Sequence, residues 1–344
     1  MLDSFLRDRS NCFIVAELSA SHGGRLDRAL DLVEIASECG ADAVKIQTYR
    51  PDTITIDCDR EHFIREGTIW DGRQLYELYE EAHTPWEWHD ELFEHAGRVG
   101  IPMFSTPFDD TAVDFLEQFD VPAYKIGSFE LVDIPLIERV AATGKPLILS
   151  TGMATLAEIE EAVDVARQNG ADQMALMKTN SAYPSPADEI HLKTIPHLQD
   201  TFQMPVGLSD HTIGAAVPTA AVALGAELVE KHLCVSRSID TPDSEFAAEP
   251  LEFRRMVRQI RTVEEAVGGV HYGPTPEQEV SVENRRSLFV VRDVGEGERL
   301  TEQNVRSIRP GYGLHPRHYG DVLGARARCD VQRGTPLDWG LLIR

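Results

Sequence analysis

Two histidines stand at the ends of consecutive apolar runs: His211 follows the run that begins at Gly207, and His232 ends the run that begins at Leu228. The stretch 215–225 between them is rich in Ala and Val and has the length of a crossover helix. The two runs are therefore predicted to be neighbouring parallel strands with both histidines at their carboxyl ends. Two imidazoles in that position could bind one divalent metal, whereas in the plainer interpretation they are ordinary core or surface histidines.

Other apolar runs in the chain also end in residues that could do chemistry. Ammonium and hydroxyl groups that meet at one face of a sheet suit a phosphate, and carboxyl groups beside them could move protons. The candidates for phosphate are Lys45, Thr106, Lys125, Ser150 and Ser209, and those for proton transfer are Glu17 and Glu130. In the alternative interpretation each lysine forms a salt bridge with the acidic body of the chain. Lys178 leaves open a second chemistry, a Schiff-base aldolase.

The elements that would position these residues alternate strand and helix every 25 to 30 residues. Eight such strands within about 265 residues predict a TIM barrel, whose catalytic residues lie at the carboxyl ends of the strands. The rival is a doubly wound open sheet, but no glycine-rich dinucleotide motif follows the first strand. Residues 49–84 interrupt the rhythm and are predicted to be an inserted loop over the barrel mouth.

The α/β barrel is expected to occupy 1–267, and a Gly/Pro/Glu-rich linker is expected at 268–284. The short β segments and frequent glycines of 285–344 predict a small β-rich domain. From residue 281 onward the chain has 11 Arg, no Lys and 8 acidic residues, so this part carries +3 while the first 280 residues carry −27.

The composition limits the class of protein. A net charge of −24 argues against partners that are nucleic acids or anionic membranes. No run approaches ~18 apolar residues, and the N-terminus has no apolar signal region. The five cysteines form no CxxC pair, which predicts free thiols and a cytoplasmic location.

Several short motifs follow one another along nearly the whole chain. They are Ala16-Glu17-x-x-x-x-His22, Val44-Lys45-x-Gln47, Ser105-Thr106-Pro107-Phe108-Asp109, Tyr124-Lys125-Ile126-Gly127-Ser128, Ser150-Thr151-Gly152-Met153, Ser209-Asp210-His211-Thr212-x-Gly214, Glu230-Lys231-His232 and Pro242-Asp243. As a set they resemble the sialic acid synthase family. Arg286-Ser287-Leu288 and Arg309-Pro310-Gly311-x-Gly313 resemble the antifreeze-like (SAF) domain that ends members of that family.

Within the family, three further stretches resemble the branch that makes pseudaminic acid. They are Trp70-Asp71-Gly72-Arg73-x-Leu75-Tyr76, Thr84-Pro85-Trp86-Glu87-Trp88-His89 and Ser181-Ala182-Tyr183-Pro184. The chain departs from the family pattern at Ser21, where the family usually has Asn, and at Thr179-Asn180, where it usually has Cys-Thr.

The resemblance implies a condensation of phosphoenolpyruvate with an amino-sugar aldehyde, with loss of phosphate by C–O cleavage. It implies a TIM barrel with a SAF domain, a Mn²⁺ or Mg²⁺ ion, and a domain-swapped homodimer. The implied roles fall on these residues: Lys45, Thr106, Lys125, Ser150 and Ser209 at phosphoenolpyruvate, Ser128 at a substrate, His211 and His232 at the metal, Glu130 beside a metal-bound water, Glu17, Tyr183 and Asp243 at the sugar, and Arg309 in the neighbour's site. Lys125, Glu17 and Glu130 would be the catalytic residues among them.

Two alternatives remain open from the sequence. The acceptor could be that of an N-acetylneuraminate or legionaminate synthase, or a phosphorylated aldose, with the same chemistry. More distantly, the chain could be a non-enzymatic protein that binds through its SAF domain beside an inactive barrel.

Overall fold

The computed structural model describes residues 11–343 and divides the chain after Gly268 into two compact units. In the first unit, eight parallel strands pair in sequence order and β8 closes onto β1. The strands are β1 Phe13–Glu17, β2 Ala43–Thr48, β3 Met103–Pro107, β4 Tyr124–Ile126, β5 Leu147–Ser150, β6 Met174–Thr179, β7 Val206–Asp210 and β8 Leu228–His232. The predicted TIM barrel is confirmed.

Helices connect the strands, and most of them cover the outside of the barrel. They are α1 Leu26–Cys39, α2 Pro51–Ile54, α3 Leu75–Ala82, α4 His89–Val99, α5 Asp110–Leu116, α6 Ile134–Ala141, α7 Leu156–Gln168, α8 Thr194–Phe202, α9 Ala216–Ala223 and α10 Pro250–Val267. Short 3-10 helices are Ser19–His22, Glu61–Phe63, Trp86–Trp88, Glu117–Phe119 and Ala187–Glu189.

The spacing of Thr155 and Glu158 in the sequence predicts a capping box at the start of α7, and the structure confirms it. The hydroxyl of Thr155 accepts from the backbone N of Glu158 at 3.3 Å, and Glu158 Oε2 accepts from the backbone N of Thr155 at 2.7 Å. This capping box satisfies two amide groups that would have no partner inside the helix.

The strands are buried on both faces, which is why each appears in the sequence as an apolar run. Outward residues such as Ile14 and Ala16 pack against the helices in the main core. Inward residues such as Phe13 and Val15 belong to a separate cluster that fills the barrel interior. Gly207 faces this interior, where an added Cβ would lie 2.5 Å from the carbonyl oxygen of Leu228. Only glycine fits there, because real Cβ atoms do not approach so closely.

The second unit is small and β-rich, as predicted. Its strands form two antiparallel pairs, β9 Ser287–Val290 with β10 Val305–Ile308 and β11 Arg326–Ala327 with β12 Leu342–Ile343. Its helices are α11 Pro276–Val282 and α12 Tyr319–Val322, with 3-10 turns at Pro316–His318 and Trp339–Leu341. Helix α11 lies inside 268–284, the stretch expected to be a linker.

All five cysteines have free thiols, as expected from their spacing. Across residues 11–343, no helix combines the length and the apolar composition needed to span a membrane.

Candidate active site

A cavity of about 190 Å³ opens at the carboxyl ends of the barrel strands. Apart from Lys178, its lining includes every residue of the barrel for which the sequence or the resemblance predicted a role. They are Glu17, Lys45, Thr106, Lys125, Ser128, Glu130, Ser150, Tyr183, Ser209, His211, His232 and Asp243. Arg309, the remaining predicted site residue, is an exposed residue of the second unit, directly after β10.

The two-residue period of a strand explains this convergence, because side chains two positions apart face the same side of a sheet. On β1, Phe13 and Val15 fill the barrel interior, so Glu17 also points inward and lines the cavity. On β8, Leu228 is in the interior cluster, so Glu230 and His232 follow it into the cavity.

The same period corrects one expectation. Ala175 and Met177 of β6 face the interior, so Lys178 between Met177 and Thr179 lies on the outward side and is absent from the cavity lining. Its ammonium group donates to the backbone O of Thr179 at 3.1 Å. Lys178 is therefore not placed to form a Schiff base in this cavity, and the aldolase chemistry that it left open is not supported here.

The cavity floor holds two lysines and two glutamates. Lys125 Nζ lies 2.6 Å from Glu230 Oε1, and Lys45 Nζ lies 3.6 Å from the same oxygen and pairs with Glu17 Oε2. Lys45 Nζ also donates to Thr106 Oγ1 at 3.1 Å. The lysines thus fit both interpretations of the sequence, because each forms a salt bridge and each faces the cavity.

The four charges control one another's ionisation. Burial acts to lower the pKa of Lys45, but the carboxylates of Glu17 and Glu230 outweigh it and raise that pKa. Burial lowers the pKa of Lys125, and Glu230 opposes this shift. Burial acts to raise the pKa of Glu230, but Lys125 and Lys45 outweigh it and lower that pKa. Burial raises the pKa of Glu17, and Lys45 opposes this shift. The raised pKa of Lys45 and the lowered pKa of Glu230 therefore favour an ion pair between these two residues before any ligand binds.

Glu230 is the functional candidate that the sequence reasoning missed. It appeared only inside a motif, yet it contacts both lysines of the floor. The signal was its position two residues before His232, which places both side chains on one face of β8.

His211 and His232 lie above this floor, with ring centroids 5.4 Å apart. His211 Nδ1 is 2.7 Å from the backbone O of Asn180, and His232 Nδ1 is 3.2 Å from Asp243 Oδ2. Burial lowers the pKa of His211 to about 3, so this imidazole is neutral near pH 7. Each ring thus has an acceptor at Nδ1, which leaves Nε2 to act as a ligand.

This donor arrangement fits a divalent metal. Histidine ligands commonly donate their second ring N–H to a carbonyl or carboxylate, as both rings do here. Within residues 11–343 there is no cluster of three or more His, Cys, Asp or Glu side chains arranged as a metal site. Two histidines would leave the other coordination positions to water or substrate oxygen, as open catalytic metal sites do.

Glu130 lines the cavity on a turn after β4. Its Oε2 atom is buried without a hydrogen-bond partner among residues 11–343. Burial raises the pKa of Glu130 to about 7, so near neutral pH this carboxyl can either hold or release a proton.

Residues 49–84 contribute a wall of the cavity, as the predicted insertion over the mouth would. Its lining residues include Ile54, Arg65, Trp70 and Tyr79. Trp70 Nε1 donates to the backbone O of Pro242 at 3.0 Å, and the Trp70 ring lies 5.7 Å from that of Tyr183. The segment contains helices α2 and α3, so it is more ordered than the expected loop.

Comparison with known proteins agrees with this site. The chain matches the NeuB family over residues 32–272 and the SAF domain over 285–343. It is 44% identical to a pseudaminic acid synthase of Campylobacter jejuni over 94% of this chain and 95% of that protein. It is 34% identical to the N,N'-diacetyllegionaminic acid synthase of Legionella pneumophila over 95% of this chain and 94% of that protein.

A solved N-acetylneuraminic acid synthetase from Leptospira borgpetersenii shares the fold, with a TM-score of 0.71 and 30% identity, over 79% of this chain and 90% of that chain. These likenesses span nearly all of the barrel that forms the cavity. The chain therefore belongs to the NeuB family of sialic acid synthases and ends in a SAF domain.

Proposed function

We propose that this chain is a pseudaminic acid synthase. It would condense phosphoenolpyruvate with 2,4-diacetamido-2,4,6-trideoxy-L-altrose and give pseudaminic acid and phosphate by C–O cleavage. The observation that supports this most directly is the floor of Lys45, Lys125, Glu17 and Glu230 beneath two histidines, in a chain 44% identical to an enzyme of that name.

Phosphoenolpyruvate belongs at the floor in this proposal. Its phosphate and carboxylate need donors that can neutralise charge, and Lys45 and Lys125 supply ammonium groups there. The hydroxyls of Thr106, Ser128, Ser150 and Ser209 line the same region and would donate to the remaining oxygens. Because Glu17 and Glu230 already hold the two lysines in place, little reorganisation is needed when the anion arrives.

The reaction needs one C–C bond formed and one C–O bond broken. C3 of phosphoenolpyruvate attacks the aldehyde carbon, whose oxygen takes a proton, and a cationic centre develops at C2. Water adds to C2 and loses a proton, and the resulting tetrahedral carbon expels phosphate. Glu130 is suited to take that proton because its carboxyl titrates near neutrality. Lys125 would stabilise the charge on the departing phosphate.

His211 and His232 would hold the divalent metal, Mn²⁺ or Mg²⁺. When bound, the metal supplies Lewis-acid polarisation of the aldehyde oxygen. Asp243 holds the orientation of His232 through Nδ1 and lines the cavity beside it. Tyr183, whose ring centroid is 4.2 Å from that of His211, would contact the sugar together with Glu17 and Asp243.

The runner-up acceptors are those of N-acetylneuraminate and legionaminate synthases. The wall formed by 49–84 favours a less hydroxylated sugar, because Ile54, Leu78 and Ala82 bring apolar side chains to the cavity. A 6-deoxy sugar with two acetamido methyl groups would bury apolar surface there that the acceptor of an N-acetylneuraminate synthase lacks. The legionaminate acceptor has the same substituents in another configuration, so only an assay with both sugars separates these two.

The test is phosphate release from phosphoenolpyruvate and Mn²⁺ with three acceptors assayed side by side. We expect turnover with the L-altrose-configured diacetamido sugar and at least tenfold lower kcat/KM with N-acetylmannosamine and the legionaminate precursor. Higher kcat/KM with either of the latter would replace the proposed acceptor. No phosphate release with any acceptor would reject a synthase.

Two further features belong to this proposal. The free thiols suit a reducing compartment, and the proposed location is the cytoplasm. The proposed active unit is a domain-swapped homodimer, in which Arg309 of one subunit completes the cavity of the other.

A further inference from the structure

A buried ion pair lies directly beneath the two histidines, on the outward side of the barrel. Asp210 and Lys231 are register partners on β7 and β8, and each immediately precedes one of the histidines. Their relative exposures are 1% and 3%, and neither lines the cavity. The pair cannot touch the substrate, so any effect on the reaction must pass through His211 and His232.

The pair makes contacts with the residues on both sides of His211. Lys231 Nζ lies 2.5 Å from Asp210 Oδ2 and donates to the backbone O of Thr212 at 2.6 Å. Asp210 Oδ1 accepts from the backbone N of Thr212 at 3.1 Å and from its hydroxyl at 2.8 Å. One lysine on the neighbouring strand therefore holds the residue before His211 and the residue after it.

The ion pair lies at the point where the pairing of β7 with β8 stops. The pairing of β7 with β8 runs through Leu208–Val229 and Ser209–Glu230 and ends at Asp210–Lys231. His211 is the first residue beyond the last pair, so no ladder contact to β8 fixes its distance from His232. The ion pair supplies that tie between the strands.

Stability alone is a weak reason for such a pair. Taking both charges out of water costs several kcal/mol per ion, and apolar replacements of similar volume are often neutral or stabilising. A pair whose hydrogen bonds all fall on residues 210–212 is better suited to fixing geometry than to adding net stability.

We propose that the Asp210–Lys231 pair positions His211 and His232 relative to each other and thereby sets their affinity for the divalent metal. The inference rests on the proposed metal role of the histidines. Neither residue of the pair is a metal ligand or a catalytic residue; both act through the histidines beside them.

The test measures Mn²⁺ binding by isothermal titration, and the visible spectrum of bound Co²⁺, in the full chain. The Asp210→Asn/Lys231→Met double variant removes both charges together, so no unpaired charge stays buried. We expect it to fold and to bind Mn²⁺ about tenfold or more weakly than wild type, with an altered Co²⁺ spectrum. His232→Ala should lose the site and serves as the reference for complete loss.

The matched control is a second pair that joins a barrel strand region to a helix. Arg261 Nη2 lies 2.8 Å from Asp42 Oδ2, and Asp42 immediately precedes β2 at the other end of the strands. The Asp42→Asn/Arg261→Met variant should change thermal stability but keep wild-type Mn²⁺ affinity. If both double variants lose affinity in proportion to their loss of stability, the positioning role is overturned.

A milder variant covers the case in which the double variant does not fold. Thr212→Val removes only the hydroxyl that donates to Asp210 and should weaken Mn²⁺ binding about threefold. Wild-type affinity and an unchanged Co²⁺ spectrum in the folded variants would overturn the proposal. A wild-type protein that binds no Mn²⁺ would instead overturn the metal site itself, a different result from retained binding in the variants.

Discussion

The carboxyl group of Glu130 is buried beside the cavity, and its Oε2 has no hydrogen-bond partner among residues 11–343. Burial raises its pKa from 4.5 to about 7. A carboxyl whose pKa is higher in the folded state binds its proton more tightly there than in the unfolded chain. Its contribution to stability is therefore present below pH 4.5 and is lost as the pH rises to about 7.

This shift predicts a pH-dependent difference between wild type and Glu130→Gln. The free energy of unfolding of wild type relative to the variant should fall by about 3 kcal/mol between pH 4.5 and 8, because glutamine cannot ionise. Urea denaturation across that range measures the difference. Parallel pH curves for wild type and Glu130→Gln would contradict the prediction.

Apart from Lys178, the strand-end residues that the sequence proposed line the cavity, because a parallel barrel brings the carboxyl ends of all its strands to one face. The prediction from the sequence misjudged Lys178 and overlooked Glu230 for one reason. The prediction used only the distance of a residue from the end of its strand. It did not consider that side chains alternate between the two faces of a strand, which decides which of them point inward. The contact of Asp243 with His232 depends on the conformation of the loop that contains Asp243. The spacing of apolar residues in the sequence does not predict that conformation.

Among the elements of the barrel, the inserted segment 49–84 forms a wall of the cavity at its mouth. Arg65 lines the cavity, and its backbone is fixed by two hydrogen bonds, from its N to the O of Arg73 at 2.9 Å and from the N of Gly72 to its O at 2.8 Å. The lysines of the floor are paired with glutamates, whereas the structure gives no carboxylate partner for Arg65 within residues 11–343. Its guanidinium is therefore available to a carbonyl oxygen of an acceptor substituent.

This position predicts that Arg65→Met raises the KM of the amino-sugar acceptor about tenfold, through loss of a charge-assisted hydrogen bond. The KM of phosphoenolpyruvate should stay within about twofold, because that anion is proposed to bind at the floor. Steady-state kinetics with each substrate varied in turn measures both values.

The same segment provides a matched control for Arg65. Arg73 Nη2 pairs with Glu81 Oε2 at 2.6 Å and is absent from the cavity lining. Arg73→Met should leave both KM values unchanged. If Arg65→Met instead raised the KM of phosphoenolpyruvate and spared that of the acceptor, the guanidinium would serve the anion and the prediction would be wrong.

At this scale the apolar runs and helix periods of the barrel were sufficient to predict its strands and most of its helices. The amphipathic pattern of the sequence predicts a long helix over Pro250–Val267, and α10 has those bounds. Helix α3 was not predicted, because it follows the turn at Trp70–Arg73 in a stretch that lacks the strand–helix rhythm. Helix α11 lies in a Gly/Pro/Glu-rich stretch, and none of its residues is buried.

At the scale of the whole molecule, the charge is divided unevenly along the chain. Residues from 281 onward carry +3, and the first 280 residues carry −27. Opposite signs favour docking of the tail on a barrel, whether its own or a neighbour's. Arg309 is exposed after β10, and Pro310 and Gly311 follow it. Its planar guanidinium carries several N–H donors and would suit an acetamido carbonyl or a carboxylate.

Subunit mixing separates docking on a neighbour's barrel from docking on the chain's own. Lys125→Ala and Arg309→Ala should each be inactive alone. If Arg309 acts in the neighbour's site, each mixed dimer contains one site with both residues intact, so random exchange should restore about a quarter of the wild-type sites. If each tail caps its own barrel, every site lacks one residue and no activity returns.

The control mixes Lys125→Ala with Lys45→Ala. Both residues lie in the same barrel, so each site of a mixed dimer lacks one lysine and activity should stay absent under either arrangement. Phosphate release after exchange, with size-exclusion chromatography and light scattering at the assay concentration, gives the result. A monomer that is fully active at that concentration would rule out the shared site, because no second subunit would be present to supply Arg309.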